Sequence, residues 1–382
     1  MKVLLAPDKF RGSLSAPDVC QAMAEGVRLA APTAELVSLP LADGGEGTLD
    51  ALLAHSGGRT VSAEVEDPLG RPIRAEFGLS GDGRTAYIET AAAAGLRLLN
   101  PDERDALRAS TYGLGQLVAA ALDAGVRRVV LGLGGSATTD GGTGLAAALG
   151  YRFLDQYGRE ITRPCGSTLA HIARIDAVGL RYDFSKIEVE VACDVTNPLT
   201  GPAGTAAVYA PQKGATAADV AVLEAGLTHL KTRLAAEVPR TEVPGDGAAG
   251  GLGFGTRVFL NAALKPGVEL VMEHVGFDRA LDGVDLILTG EGKLDDQTLA
   301  GKLIAGICRK ATERGIPVAA LVGTLDADPA ALRALGLCFA TSVLTRPQSL
   351  DEALGSAHAA VRDSAFWVVN LFQPSPQPPK GA

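Results

Sequence analysis

A chain of 382 residues exceeds one ordinary domain and can bury two cores without disulfide staples. Its formal net charge of −9 argues against a general nucleic-acid binder, and no apolar run reaches the length of a membrane span. Five cysteines (Cys20, Cys165, Cys193, Cys308, Cys338) are odd in number and lack CxxC spacing, so they read as reduced thiols of a cytoplasmic protein.

Residues 2–6 read as a first strand, too short in its apolar stretch for a signal peptide. The loop Pro7-Asp8-Lys9-Phe10-Arg11-Gly12-Ser13 follows. Ser15 caps a helix to about Ala30, with Pro17 in its first turn. A strand over 36–39 ends in Leu41-Ala42-Asp43-Gly44-Gly45-Glu46-Gly47-Thr48, where a helix begins. Segments 61–66, 73–79 and 85–89 alternate between turn signals and predict hairpins. A helix over 111–124 and a strand over 126–131 lead into Gly132-Leu133-Gly134-Gly135-Ser136-Ala137-Thr138-Thr139-Asp140-Gly141-Gly142-Thr143-Gly144, after which a helix starts. Residues 167–178 read as another helix and 187–192 as a strand ending in Cys193-Asp194-Val195-Thr196-Asn197. Pro211-Gln212-Lys213-Gly214 precedes a long helix over 217–234. A second glycine-dense loop spans 245–253, and helical segments run to about Ala280. The strand–helix rhythm then returns: a strand over 284–288 ending in Thr289-Gly290-Glu291-Gly292-Lys293-Leu294-Asp295-Asp296, a helix over 303–314, strands over 318–322 and 339–344, and helices over 329–335 and 350–372.

Regular strand–helix units at both chain ends, with a meander and the densest glycine stretches between, predict a discontinuous α/β domain with a second domain inserted. The expected bounds are 1–58 with 281–372 for the first and 59–280 for the insert, with a disordered Pro-rich tail at 373–382. Ligands are then expected in the cleft between the domains, at the C-terminal ends of strands.

Acidic residues recur beside glycine directly after strands: Asp8, Asp43, Asp140, Asp194, Asp246, Glu291, and the pair Asp295 and Asp296. Several carboxylates so placed can hold Mg2+ through its waters or act as a base. Lys9, Arg11, Lys213, Lys293 and Lys302 are interspersed and could take a phosphate or carboxylate. Mixed acids and bases around glycine loops suit phosphoryl transfer. Taken singly, each Asp–Gly is better read as a turn, and lone Lys213 or Arg11 as a solvated charge. The repetition after strands is the signal. The five histidines show no ligand spacing. GxxxxGK[ST] is absent, and GxGxxG fails because its third glycine would fall at Ala137.

Taken together, these motifs closely resemble the type I glycerate kinase family. The resemblance rests on residues 6–15, 41–48, 134–144, 193–199, 211–215, 249–253 and 289–302, in the family's order across nearly the whole chain. It implies ATP-dependent phosphorylation of D-glycerate, at the 2-hydroxyl, and two α/β domains: one flavodoxin-like with a parallel sheet, one inserted and mixed. The chain departs from the family pattern at Lys9, Arg11, Thr139, Tyr209-Ala210 and Ile304. Loop position and residue type place nucleotide phosphates on Gly134, Gly135, Ser136, Asp140, Gly250 and Gly251, and glycerate on Asp8, Lys9, Arg11 and Ser13. Mg2+ is assigned to Asp194, Asp246 and Glu291. Asp194, or otherwise Asp43, is the expected base, and Lys293 neutralises the transferring group. The expected partners are glycerate and ATP, with no nucleic acid and no membrane; a homodimer is left open. A kinase of a related hydroxy acid, a nucleotide-dependent dehydrogenase and a solute-binding protein are the alternatives.

Overall fold

The computed structural model describes residues 1–42, 48–237, 242–295 and 303–373. Asp43, Glu46, Asp296, Lys302 and the expected disordered tail beyond 373 lie outside the described residues. Two compact units divide the chain: Met1–Asp43 with Val271–Ala382, and Gly44–Leu270.

In chain order, β1 (Lys2–Leu5), α1 (Ala16–Ala30) and β2 (Glu35–Ser38) come first. Then come α2 (Thr48–Ser56), β3 (Arg59–Glu66), β4 (Pro72–Leu79), β5 (Thr85–Glu89), α3 (Ala91–Ala94), α4 (Tyr112–Asp123), β6 (Arg128–Gly132) and α5 (Thr143–Ala148). They are followed by β7 (Arg152–Leu154), β8 (Arg174–Asp176), β9 (Glu188–Ala192), α6 (Thr205–Tyr209), α7 (Ala217–Glu237), α8 (Ala248–Phe259) and β10 (Ala263–Lys265). The last are α9 (Gly267–Val275), α10 (Phe277–Ala280), β11 (Leu286–Asp295), α11 (Leu303–Thr312), β12 (Val318–Asp326), α12 (Pro329–Leu335), β13 (Leu337–Ser342) and α13 (Leu350–Phe372).

The first unit is a five-stranded sheet in the order β13-β12-β11-β1-β2, parallel throughout. Numbered within the unit this is the flavodoxin order 2-1-3-4-5, whose strand direction of travel reverses between β1 and β11. The start of α1 follows the sequence signal: Ser15 Oγ accepts from Asp18 N, and the Asp18 side chain accepts from Ser15 N in return. Val19, Met23 and Val27 repeat at helical spacing and are buried with Val3, Leu5, Leu286 and Leu288. β11 is longer than the predicted strand, because β12 extends alongside it and pairs Gly290 with Leu321, Lys293 with Thr324 and Asp295 with Asp326. A side chain at position 290 would overlap the Leu321 carbonyl, so glycine lets the pairing continue. The stretch expected as a loop, Thr289 to Asp295, is therefore strand.

The second unit has a six-stranded mixed sheet in the order β10-β9-β6-β5-β4-β3. β10, β9, β6 and β5 run parallel, and β4 and β3 add an antiparallel hairpin. The hairpins read from the sequence thus extend this sheet and do not form a body of their own. The helix expected over 167–178 is instead a 3-10 turn, Gly166–His171, followed by β8, which pairs antiparallel with β7. The alternation Arg174-Ile175-Asp176 suits a strand, and Thr168 Oγ1, accepting from Cys165 N, holds the tight turn. The core of this unit includes Phe77, Ile88, Leu114, Leu131, Phe153 and Val191.

Candidate active site

In the second unit, the C-terminal ends of β5, β6, β9 and β10 lie along one edge of the sheet. Gly132 on β6 pairs with Glu89 on β5 and Ala192 on β9, and Cys193 N donates to Lys265 O at the end of β10. The two polar loops after β6 and β9 therefore emerge side by side, as expected for a ligand edge of a parallel sheet.

The loop after β6 is fixed from within by Asp140. This carboxylate is fully buried and accepts from Thr111 N and Oγ1 at 2.8 Å each, Gly142 N at 3.1 Å and Gly144 N at 3.3 Å. Burial pushes its pKa up, and the four donors pull it back. Asp140 is the internal support of the turn, its oxygens held by the loop and by the start of α4.

The second glycine loop docks against the first. Ala249, Gly250 and Gly251 all adopt left-handed backbone inside the stretch assigned to α8, with φ of 51°, 77° and 84°. Gly141 N donates to Gly250 O at 3.0 Å. A side chain at 250 would run into the Thr138 carbonyl, so both the backbone angle and the close approach demand glycine. Gly251 lies against Gly141 and Leu199. Gly250 and Gly251 form the surface on which the first loop rests. Ala249 holds the left-handed angle without being glycine, a local strain typical of functional turns.

Asp246 anchors this second loop. It is completely buried, and Arg257 grips it with a fork: Nε to Oδ1 at 2.7 Å and Nη2 to Oδ2 at 2.9 Å. Val243 N also donates to Oδ2 at 3.0 Å. Both oxygens are engaged, so Asp246 does not fit the metal-ligand role expected of it. Among the described residues, no group of three or more His, Cys, Asp or Glu is arranged to hold a metal ion.

The residue that sequence reasoning misplaced is Lys213. It ends a 3-10 turn, Pro211–Lys213, and is only 2% exposed. Its Nζ donates to Ser136 Oγ at 2.8 Å and Thr138 O at 2.6 Å. Burial drives its pKa down to about 7, with Asp140 acting in the opposite sense. The hydroxyls of Thr138 and Thr139, in the same loop as Ser136, are buried without hydrogen-bond partners. A cavity of about 140 Å³ opens here, lined by Gly135, Ser136, Tyr209, Gln212, Lys213 and Ala249 among others. Tyr209 on α6 is held by its hydroxyl, which donates to Asn197 Oδ1 at 2.6 Å. The signal available for Lys213 was the Pro-Gln-Lys-Gly motif itself, which the family resemblance singled out and which a lone-charge reading sends to the surface.

Of the expected site residues in this unit, Gly135 and Ser136 come together with Lys213 around the cavity. Gly134 stands beside them with open space above its Cα. Asp194 follows β9 with an exposed side chain. Its Oδ1 accepts from Gly267 N at 2.8 Å, and the next residue, Val195, lines the cavity.

In the first unit, the loop after β1 crosses β11 at the strand-order reversal. Asp8 N donates to Gly290 O at 2.8 Å, and the backbone of Phe10 and Arg11 passes close over Gly292. Asp8 Oδ1 accepts from Lys9 N, Arg11 is exposed, and Ser13 Oγ reaches Leu354 O at 3.4 Å. Glu291 and Lys293 stand on β11. Lys293 is half-exposed and pairs with Asp295 at 2.9 Å, which raises its pKa. Asp8, Arg11, Glu291 and Lys293 are thus gathered at the reversal point, where open α/β sheets bind ligands.

These two loop systems have close counterparts in known proteins. The family model described as the glycerate kinase family matches residues 3–373. The chain belongs to the glycerate kinase family. It is 44% identical over 362 residues to a glycerate kinase of Bacillus subtilis (strain 168), with 94% of each chain covered. It is 41% identical over 360 residues to the glycerate 2-kinase of Escherichia coli (strain K12), again with 94% of each covered. A crystal structure provisionally named glycerate kinase 2, from Salmonella typhimurium LT2, matches with a TM-score of 0.89 and 42% identity, covering 97% of this chain and 98% of that one. Family membership makes the enzyme class a phosphotransferase. No helix among the described residues is long and apolar enough to cross a membrane.

Proposed function

We propose that this protein transfers the terminal phosphoryl group of ATP to D-glycerate, forming 2-phospho-D-glycerate. The observation that carries the reading is the cavity framed by both glycine loops in a chain of the glycerate kinase family. Backbone around Gly134 and Gly135 can approach phosphate oxygens closely, and Ser136 supplies a hydroxyl. Asp194 is the proposed general base, since Asp140 and Asp246 are buried and Asp194, after β9, is exposed. The proton it would accept is that of the glycerate 2-hydroxyl. Lys9 or Arg11 is proposed for the glycerate carboxylate, as Arg11 is an exposed cation in a loop held by backbone contacts to β11. Lys293 is proposed to neutralise charge on the transferring group. Asp43, proposed as the alternative base, lies outside the described residues.

Mg2+ commonly binds through one or two carboxylates, water and substrate phosphates. Asp194 fits that sparse ligation and Asp246 does not, because Arg257 occupies it. Glu291 stands half-buried on β11 and is kept as a candidate ligand. When bound, the ion would supply charge neutralisation on the phosphate chain.

The test is release of ADP, followed by a coupled assay, on mixing the protein with ATP, Mg2+ and D-glycerate. Glycerate-dependent ADP release is expected. Hydride transfer from a nicotinamide cofactor without ADP release would instead favour the dehydrogenase reading.

A further inference from the structure

Lys213 has a donor to spare. An ammonium group carries three N–H donors. Two are taken, by the Ser136 hydroxyl and the Thr138 carbonyl, and both partners are neutral. Among the described residues, no third acceptor and no carboxylate within ion-pair distance is found for Nζ. The side chain is nonetheless almost wholly buried, and it lines the cavity. Burying a cation without an ion-paired counter-charge is costly, and such an arrangement is relieved by a bound anion.

We propose that Lys213 is the residue of this cavity that takes the phosphate chain of the nucleotide, donating its third N–H to a phosphate oxygen. The proposal rests on the kinase reading above for the identity of the anion. A phosphate chain suits the site better than a lone carboxylate. The Ser136 hydroxyl stands at Nζ and Gly135 lines the same cavity, so contacts to several oxygens are offered at once.

The site also couples binding to a proton. Asp140 is the charged group that acts on Lys213, and its oxygens are held by four donors. The other neighbours are the neutral Ser136 and Thr138, the Tyr209 phenol across the cavity, whose pKa burial raises, and the Arg104 backbone beneath Gly214. Above a pH of about 7 the buried amine is mostly neutral in the free protein. An anion at Nζ restores the ammonium, so binding takes up a proton.

The experiment is titration calorimetry of inorganic tripolyphosphate into the full-length protein and its Lys213→Met variant. It is run at about pH 8.5, above the folded Lys213 value, in two buffers of different ionisation heat. The wild type should bind with uptake approaching one proton. The variant should bind about tenfold or more weakly, as expected for loss of a charge-assisted hydrogen bond, and take up none. Equal affinity and equal uptake in the two proteins would overturn the proposal. So would loss of D-glycerate binding with tripolyphosphate binding intact. If the variant does not fold, the wild type decides alone: binding without proton uptake overturns the proposal. A wild type that shows Lys213-dependent tripolyphosphate binding but never phosphorylates glycerate would reject the kinase reading and leave the anion site standing.

Discussion

Replacing Gly250 by alanine should break the junction between the two glycine loops. At φ of 77° an L-residue costs about 1–2 kcal/mol relative to glycine. The new methyl would also overlap the Thr138 carbonyl, and relieving such overpacking costs about 1–3 kcal/mol. The sum is about 2–5 kcal/mol, a large share of a typical folding free energy. With a urea slope of about 2 kcal/mol/M, the midpoint should fall by roughly 1–2.5 M, followed by far-ultraviolet circular dichroism. The displaced carbonyl is the one that accepts from Lys213, so tripolyphosphate affinity should fall as well. Gly134→Ala is the control: its backbone is not left-handed and nothing lies within 4 Å of the added carbon. It should leave stability within about 0.5 kcal/mol and act on ligand approach, raising KM for ATP. A Gly250→Ala protein as stable as wild type would refute the docked-loop geometry. So would a Gly134→Ala protein equally destabilised.

Three further outcomes follow from named contacts. Arg257→Met should cost about 3–5 kcal/mol, because it strands the buried Asp246 carboxylate; adding Asp246→Leu should recover part of that loss in thermal melts. Lys213 should shape the pH dependence of stability. The unfolded chain holds the lysine proton up to the ordinary 10.5 while the folded protein releases it near 7. Between those values the unfolded state binds more protons, so wild-type stability should rise with pH through that window relative to Lys213→Met; parallel curves would contradict the burial of the charge. Asp194→Asn should lower turnover by about two orders of magnitude or more with the melting temperature unchanged, and wild-type turnover would remove Asp194 as the base.

Much of the fold could be read locally. The Ser15–Asp18 cap, the helical spacing of Val19, Met23 and Val27, and the alternating hairpin strands are all short-range signals. The family motifs located both glycine loops, including the Gly135 and Ser136 that line the cavity. What failed depended on partners distant in sequence. Lys213 reads as a surface charge because its acceptors lie 75 and 77 residues away. Asp140 and Asp246 have the composition of ligand contacts, yet their oxygens are filled by Thr111 and by Arg257, which no local pattern announces. The extension of β11 through Asp295 similarly needed β12 alongside it.

Phosphorus NMR of the product is the most direct test of the central claim. With ATP, Mg2+ and D-glycerate, a phosphate ester on the 2-hydroxyl couples to a single carbon-bound proton, so its proton-coupled resonance should appear as a doublet alongside the ADP signals. A triplet would place the phosphate on the 3-hydroxyl and contradict the proposed product. An ATP spectrum unchanged by glycerate would contradict glycerate phosphorylation itself.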